Sequence, residues 1–226
     1  MSSYQKKKQT KRFTKLKLRY YQRNAIDALH NWFATRPVEE HALIALPTAA
    51  GKTIIFSHFI KEVLAKNPDA RFLVMAHRKE LVSQAETKLK TVWPNAPTGV
   101  LAAGMKRFQH NAQILIASRD TLASPKRLEI VGKFDYMIID EAHNVPPNSF
   151  TRYKKIIDTL SARQPMKVMG CTATPYRMGQ GYIYGDRKDH FFKDIAYSAS
   201  IPELIEAGYL SRLSAFAVND DAIIDA

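Results

Sequence analysis

With 226 residues, 46% of them hydrophobic, the chain can bury one large core but is too short for two complete domains of that size. Lys and Arg number 34 against 21 Asp and Glu, a net charge of +13 that points to a polyanionic partner. A single cysteine excludes a disulfide framework and a cysteine-rich zinc site, and no apolar run approaches the roughly 20 residues that cross a bilayer. The expectation is a soluble, cytoplasmic protein in a reducing setting, with no membrane partner and no signal segment.

Residues 1–17 form a basic arm: Lys6, Lys7, Lys8, Lys11, Arg12, Lys15 and Lys17, with Arg19 beyond, all precede the first acid. Such an arm either grips a polyanion backbone or keeps the chain soluble, and the sequence leaves both open. Tyr20, Tyr21, Ile26, Leu29, Trp32 and Phe33 then form the apolar side of a helix over Tyr20–Thr35. His41–Leu46 is a short apolar run of strand type. Ile54, Ile55, Phe56, Phe59, Ile60, Val63 and Leu64 recur at helical spacing in a stretch that opens at Thr53.

The loop Pro47–Thr53 therefore joins a buried strand to a helix start, where backbone N–H groups and the helix dipole face an anion. Gly51 permits close backbone approach, Lys52 can reach terminal phosphates, and the Thr53 hydroxyl can ligate magnesium. In the pattern G-x-x-x-x-G-K-[ST] the first glycine position is Leu46, and Pro47 and Ala49 stand where glycine is frequent. The loop alone leaves room for a lysine-capped turn before a core helix.

Further on, Arg71–Ala76 is strand-like, and Leu81, Val82, Ala85, Leu89 and Val92 follow at helical spacing, which puts His77, Arg78 and Lys79 in the turn between. A cationic turn at a helix N-terminus is a phosphate seat. Shorter strands are expected near Val100 and Ile114. Between them Ala102–Arg107 is a glycine turn with two cations, either a nucleic-acid contact or a solvated turn.

Tyr136–Ile139 has the apolar character of a strand buried on both faces, so Asp140 and Glu141 emerge at its carboxyl end, where α/β sheets bind ligands. Asp140 is placed to hold magnesium through water, and Glu141 to orient and deprotonate an attacking water. A helix is expected near Phe150–Ser161 and a strand over Lys167–Cys171. Tyr176–Phe192 is expected to be an ordered loop, with His190 packing beside Phe191 and Phe192, and Ile201–Leu210 a short edge helix. Alternating strands and helices predict an α/β fold, a mostly parallel sheet with helices on both faces.

Five stretches, LRYYQ from Leu18, PTAAGKT from Pro47, MAHRKELVSQ from Met75, DEAH from Asp140 and GCTATP from Gly170, occur in the order found in DEAH-containing superfamily 2 helicases and translocases. The chain resembles that family from about Leu18 to Tyr209, and looks closest to RadD-like DNA helicases and the motor subunits of type I and type III restriction enzymes. The resemblance implies a RecA-like P-loop NTPase domain over 18–197, with 198–226 an edge helix and the start of a linker to a second RecA-like domain.

It also implies site roles. ATP would be held by Pro47, Thr48, Ala49, Ala50, Gly51, Lys52 and Thr53, its adenine by Gln22 with Arg19 and Tyr20 nearby, and Mg2+ by Thr53 and Asp140. The strand-contacting residues would be His77, Arg78 and Lys79 in one turn, and Ser118, Arg119 and Thr121 in the IASRDTL stretch. His143, Thr172 and Thr174 would couple the two sites, the threonines by hydrogen bonds to the DEAH segment.

The implied activity is ATP hydrolysis coupled to movement on DNA, single- or double-stranded, with RNA left open as the track. This segment is expected to be a half-motor with weak or no turnover. The alternative is a nucleic-acid binding module with a vestigial ATPase. A small-molecule P-loop kinase leaves Met75–Gln84 and Gly170–Pro175 without a role.

Overall fold

A computed structural model describes residues 17–77, 79–145, 152–179, 181–187 and 190–211. The basic arm up to residue 16, Arg78 and the tail from 212 lie outside the described residues. In chain order the elements are α1 (Tyr20–Thr35), β1 (Ala42–Ala45), α2 (Lys52–Lys66), β2 (Phe72–Ala76), α3 (Lys79–Val92), β3 (Thr98–Ala102), β4 (Arg107–Phe108) and β5 (Ile114–Ser118). They continue with α4 (Arg119–Leu122), α5 (Pro125–Ile130), β6 (Tyr136–Asp140), α6 (Arg152–Ser161), β7 (Lys167–Thr172), β8 (Tyr176–Arg177), β9 (Gly181–Tyr182), β10 (Asp194–Ser198) and α7 (Ile201–Glu206).

Eight strands form one sheet in the order β10-β1-β7-β6-β2-β5-β3-β4. Every pair in it is parallel except β3 with β4. Because successive side chains of a strand point to opposite faces, the apolar runs divide between two cores. Ile44, Phe72, Val74, Ile116, Ile138 and Met169 pack with α1, α2 and α3 on one face. Leu43, Leu73, Met75, Leu115, Met137 and Ile139 pack on the other, with Leu122 of α4, Leu128 of α5 and Ile156 of α6. The fold is the expected α/β sheet covered on both sides.

Helix α1 shows how sequence drives this packing. Tyr21, Ala25, Ile26, Leu29 and Trp32 recur on one side and are buried, each large apolar side chain contributing roughly 1.5–3 kcal/mol. Three features depart from expectation. Asp194–Ser198 is a strand, β10, parallel to β1 at the sheet edge with a register irregularity at Leu43/Ile44. The stretch after Ser118 holds two short helices, α4 and α5. The segment expected as a loop after Pro175 contains the β8–β9 hairpin and a bridge between Tyr184 and Phe192.

At the end of the sheet opposite the carboxyl edge, the His41 ring lies 4.6 Å from that of Phe191, and its enclosed Nδ1 has no partner among the described residues. Burial, helped by the nearby Lys154 charge and opposed by Asp158, lowers its pKa to about 4. The unfolded chain then binds more protons than the folded one between about pH 6.5 and pH 4, so this contribution to stability is complete above that window and fades as pH falls through it. Between pH 6.5 and 5 the loss should be about 1.5 kcal/mol. Urea unfolding at the two pH values should show it, and His41→Phe should remove most of the difference; an unchanged difference in the variant would count against the assignment.

Candidate nucleotide and nucleic-acid site

The parallel strands all end on one edge, and the functional segments follow from those ends. Past β1, the Leu46 N–H donates to the Thr172 carbonyl at 2.9 Å, so the β1–β7 ladder runs one step further before the chain turns at Pro47. A 3-10 turn, Thr48–Ala50, leads to Gly51 with φ 79° and ψ 42°, and α2 starts at Lys52. A side chain at Gly51 would be strained by this backbone, and its Cβ would sit 2.8 Å from Gln22 Nε2. The first turn of α2 leaves the Lys52 and Thr53 N–H groups without intrahelical acceptors, at the positive end of the helix dipole. Lys52 is buried, and its Nζ donates to the Leu46 carbonyl at 3.3 Å. Leu46 thus occupies the first-glycine position as a buried ladder residue whose carbonyl receives the loop lysine.

Helix α1 straps this loop. Gln22 Oε1 accepts from the Arg19 N–H at 3.0 Å, and Gln22 Nε2 donates to the Ala50 carbonyl at 3.1 Å. The Tyr21 hydroxyl donates to the same carbonyl at 2.9 Å. Arg19 Nη1 donates to the Tyr21 hydroxyl at 3.1 Å, and its guanidinium lies 5.1 Å from the Tyr209 ring centre. Both ends of the Gln22 amide are satisfied within the protein and the side chain is 2% exposed, so a purine edge would take over one of these bonds.

Two strands away, β6 delivers Asp140 to the same edge. Asp140 Oδ1 accepts from the Glu141 N–H at 3.0 Å, and burial, then the Glu141 charge, raises the Asp140 carboxyl above its usual range. Glu141 has a left-handed backbone, φ 52° and ψ 53°. His143 Nδ1 lies 3.0 Å from Thr172 Oγ1 and 3.4 Å from Glu141 Oε2. Thr174 does not reach the DEAH segment as expected: its N–H donates to Thr172 Oγ1, and its carbonyl accepts from that hydroxyl, both at 3.1 Å. A tight turn before Pro175 folds the Thr174 backbone onto Thr172.

The residues expected to contact a nucleic-acid strand divide. His77 Nδ1 lies 3.3 Å from Arg119 Nη1 and 3.4 Å from the Tyr153 hydroxyl, and the Arg119 guanidinium sits 5.5 Å from the Tyr153 ring centre. Burial pushes the Tyr153 hydroxyl up to about 12 despite Arg119. Lys79 begins α3, and Arg78 lies outside the described residues. Ser118 and Thr121 were expected to offer hydroxyls to phosphates, but both are buried. Ser118 Oγ donates to Thr121 Oγ1 at 2.7 Å, which also accepts from the Ala103 N–H at 3.1 Å. They lock the turn that presents Arg119. In the Ala102–Arg107 turn, Arg107 is paired with Glu86 at 2.6 and 3.0 Å; these hydrogen bonds, against the opposing effect of burial, hold the Glu86 carboxyl below its usual range.

Four participants were not anticipated: Tyr21, Asn144, Tyr153 and Arg177. Arg177 Nε donates to the His143 carbonyl at 2.5 Å, tying the β8–β9 hairpin to the DEAH segment. Only the tyrosine doublet at 20–21 carried a signal in the sequence: the Tyr153 and Arg177 contacts join segments distant along the chain, and the Asn144 contacts, though local, depend on the left-handed turn at Glu141. Among the described residues no group of three or more His, Cys, Asp or Glu is placed to hold a metal, and no helix is long and apolar enough to cross a membrane.

Residues 15–177 match the family model described as type III restriction enzyme, res subunit. A protein of Schizosaccharomyces pombe named as a mitochondrial ATP-dependent helicase, irc3, is 29% identical over 198 residues, covering 86% of this chain and 31% of its own length. Among solved structures, a nuclease-deletion mutant of the type ISP restriction-modification enzyme LlaGI, in complex with a DNA substrate mimic, superposes with a TM-score of 0.60 at 14% identity, over 86% of this chain and 21% of that one. The Sulfolobus solfataricus SWI2/SNF2 ATPase core in complex with dsDNA gives 0.54 at 21% identity, over 71% and 33%. The chain spans about a third of the length of the curated relatives it matches. Five ordered segments, four of them at strand ends on one sheet edge, and a family match over most of the sequence lead to one conclusion: the chain belongs to the type III restriction enzyme res-subunit family.

Proposed function

We propose that this domain binds Mg-ATP at the loop Pro47–Thr53 and the backbone of a DNA strand around His77 and Arg119, as the first half of an ATP-driven DNA motor. The observation that carries the reading is the Thr172–His143 hydrogen bond. Strand β7 lies between β1 and β6, so one side chain at its end touches the DEAH segment while its backbone touches the phosphate-loop strand. A change at either carboxyl end is then felt at the other.

The donor chemistry suits the ligands. A half-buried carboxylate and a hydroxyl, Asp140 and Thr53, are the hard oxygen donors that Mg2+ prefers, with phosphate oxygens completing its shell. The cation would offset the like-charge crowding of Asp140 and Glu141. Lys52 would exchange the Leu46 carbonyl for a phosphate oxygen, and Glu141 would orient the attacking water. Arg119 and His77 would meet strand phosphates, with Ser118 and Thr121 holding the turn. A second RecA-like domain across the cleft would supply arginines, worth ~10³ or more in rate in related phosphoryl transfer.

Steady-state ATP hydrolysis with and without single- and double-stranded DNA, against Glu141→Gln as the blank, tests the reading. DNA-stimulated turnover above that blank supports it, from this chain or on addition of the downstream domain. Salt-sensitive DNA binding that ignores nucleotide, with no turnover in either form, would replace it with a nucleic-acid binding module.

A further inference from the structure

We infer that Asn144 is a positioning residue that fixes His143 as the neutral imidazole carrying its proton on Nδ1, and that it does so while holding the left-handed backbone of Glu141. The inference rests on the proposed role of the DEAH segment for its significance, but the hydrogen-bond chemistry stands without it.

Asn144 Nδ2 lies 3.0 Å from the Glu141 carbonyl oxygen and 3.2 Å from His143 Nε2. A carbonyl can only accept, so the amide must present its NH2 there, and the orientation of the Asn144 side chain is settled by its neighbour. The same NH2 has a second hydrogen, and Nε2 lies within its reach at 3.2 Å. An amide N–H cannot accept, so Nε2 must, and the ring proton belongs on Nδ1.

The other side of the ring agrees independently. The Thr172 hydroxyl donates to the Thr174 carbonyl, so its oxygen is an acceptor towards His143. An Nδ1–H fits that acceptor at 3.0 Å, and Glu141 Oε2, 3.4 Å from the same nitrogen, also accepts. Both ring nitrogens thus demand one tautomer.

The backbone supplies the second half. Glu141 is one of two non-glycine residues with positive φ among those described, a conformation that costs of order 1–3 kcal/mol unless its surroundings hold it. Its carbonyl accepts both the Asn144 backbone N–H at 2.9 Å and the Asn144 Nδ2. One side chain therefore clamps the backbone of the proposed water-orienting residue and sets which proton its neighbour shows. The Nδ1–H lies between two acceptors, Thr172 on β7 and the Glu141 carboxylate, and Asn144 keeps a proton off the opposite nitrogen.

The test reads the tautomer directly, by long-range ¹H–¹⁵N correlation spectra of the chain labelled with ¹⁵N-histidine at neutral pH, with His143→Gln to assign the resonance. The wild-type ring should show a protonated Nδ1 and an unprotonated Nε2. Asn144→Asp, equal in size but without the NH2, should put a proton on Nε2 as well, because the carboxylate there can only accept while Thr172 and Glu141 still accept from Nδ1. A protonated Nε2 in the wild type, or a pattern unchanged in Asn144→Asp, would overturn the inference. The wild-type spectrum decides the tautomer by itself if the variant fails to fold, and neither readout needs ATP turnover, so failure of the motor reading and of this one are separately visible.

Discussion

Lys52→Ala should abolish detectable Mg-ATP binding, whereas Glu141→Gln should keep it and lose turnover. The two side chains sit at the ends of β1 and β6 and do different work. Lys52 loses only a bond of 3.3 Å to the Leu46 carbonyl when it swings to a phosphate, so the exchange is from a neutral acceptor to an anion. Charge-assisted bonds of that kind contribute roughly 1.5–3 kcal/mol each, and losing two of them weakens binding about 100-fold or more. Glu141 is not a phosphate ligand in this reading. Removing its carboxylate takes away a general base, typically a loss of about 10²–10⁴ in rate, and lessens the negative charge beside Asp140. Fluorescent-nucleotide titration and single-turnover phosphate release separate the two effects, using the downstream domain if the chain alone does not turn over. Equal loss of binding in both variants would sink the division of roles.

The largest structural effect is expected at Gly170, in the middle of β7. A Cβ there would lie 2.5 Å from Phe192 Cζ, 2.6 Å from its Cε1 and 2.7 Å from the Ala142 Cβ. Phe192 is fully buried, and Ala142 opens the turn that carries His143, so neither neighbour can withdraw freely. Overpacking of this kind costs typically 1–3 kcal/mol, and the upper end applies here; Tm should fall by roughly 6–12 °C for a domain of this size. Calorimetry on Gly170→Ala checks the value. Adding Phe192→Leu should recover part of the loss, because the pair shares one contact and cannot behave additively. A single variant melting within about 2 °C of the wild type would show that the ring has room to move.

The legible parts of this fold were those with long or doubly buried patterns. Helix α1 was expected over Tyr20–Thr35 and is found there, and the runs ending at Leu46, Ala76 and Ile139 became strands buried on both faces. Strand β10 was missed because Asp194–Ser198 is an edge strand of mixed exposure, with no apolar run to betray it. Helices α4 and α5 span four and six residues, too few for a helical period to show. At the candidate site, Lys52, Asp140 and His143 could be named because their spacing from strand ends is local. Whether a hydroxyl faces a ligand or its own backbone is set by tertiary neighbours, which is why Ser118 and Thr121 looked outward in sequence and are turned inward in the structure. Arg177 was invisible for the same reason, and Asn144 because its local contacts depend on the positive-φ turn at Glu141.

Cys171 follows Gly170 in β7, paired with Ile44 on one side and Asp140 on the other, and is fully buried, with its thiol pKa raised by desolvation. A thiol in that state does not react, and the chain holds no second one to confuse the signal. Alkylation therefore becomes a clock for the sheet's centre: an alkylating reagent can act only when the strand between the phosphate loop and the DEAH segment comes apart. Comparing that clock with and without Mg-ATP would show whether nucleotide holds the two halves of the sheet together, in a protein that needs no engineered label to report it.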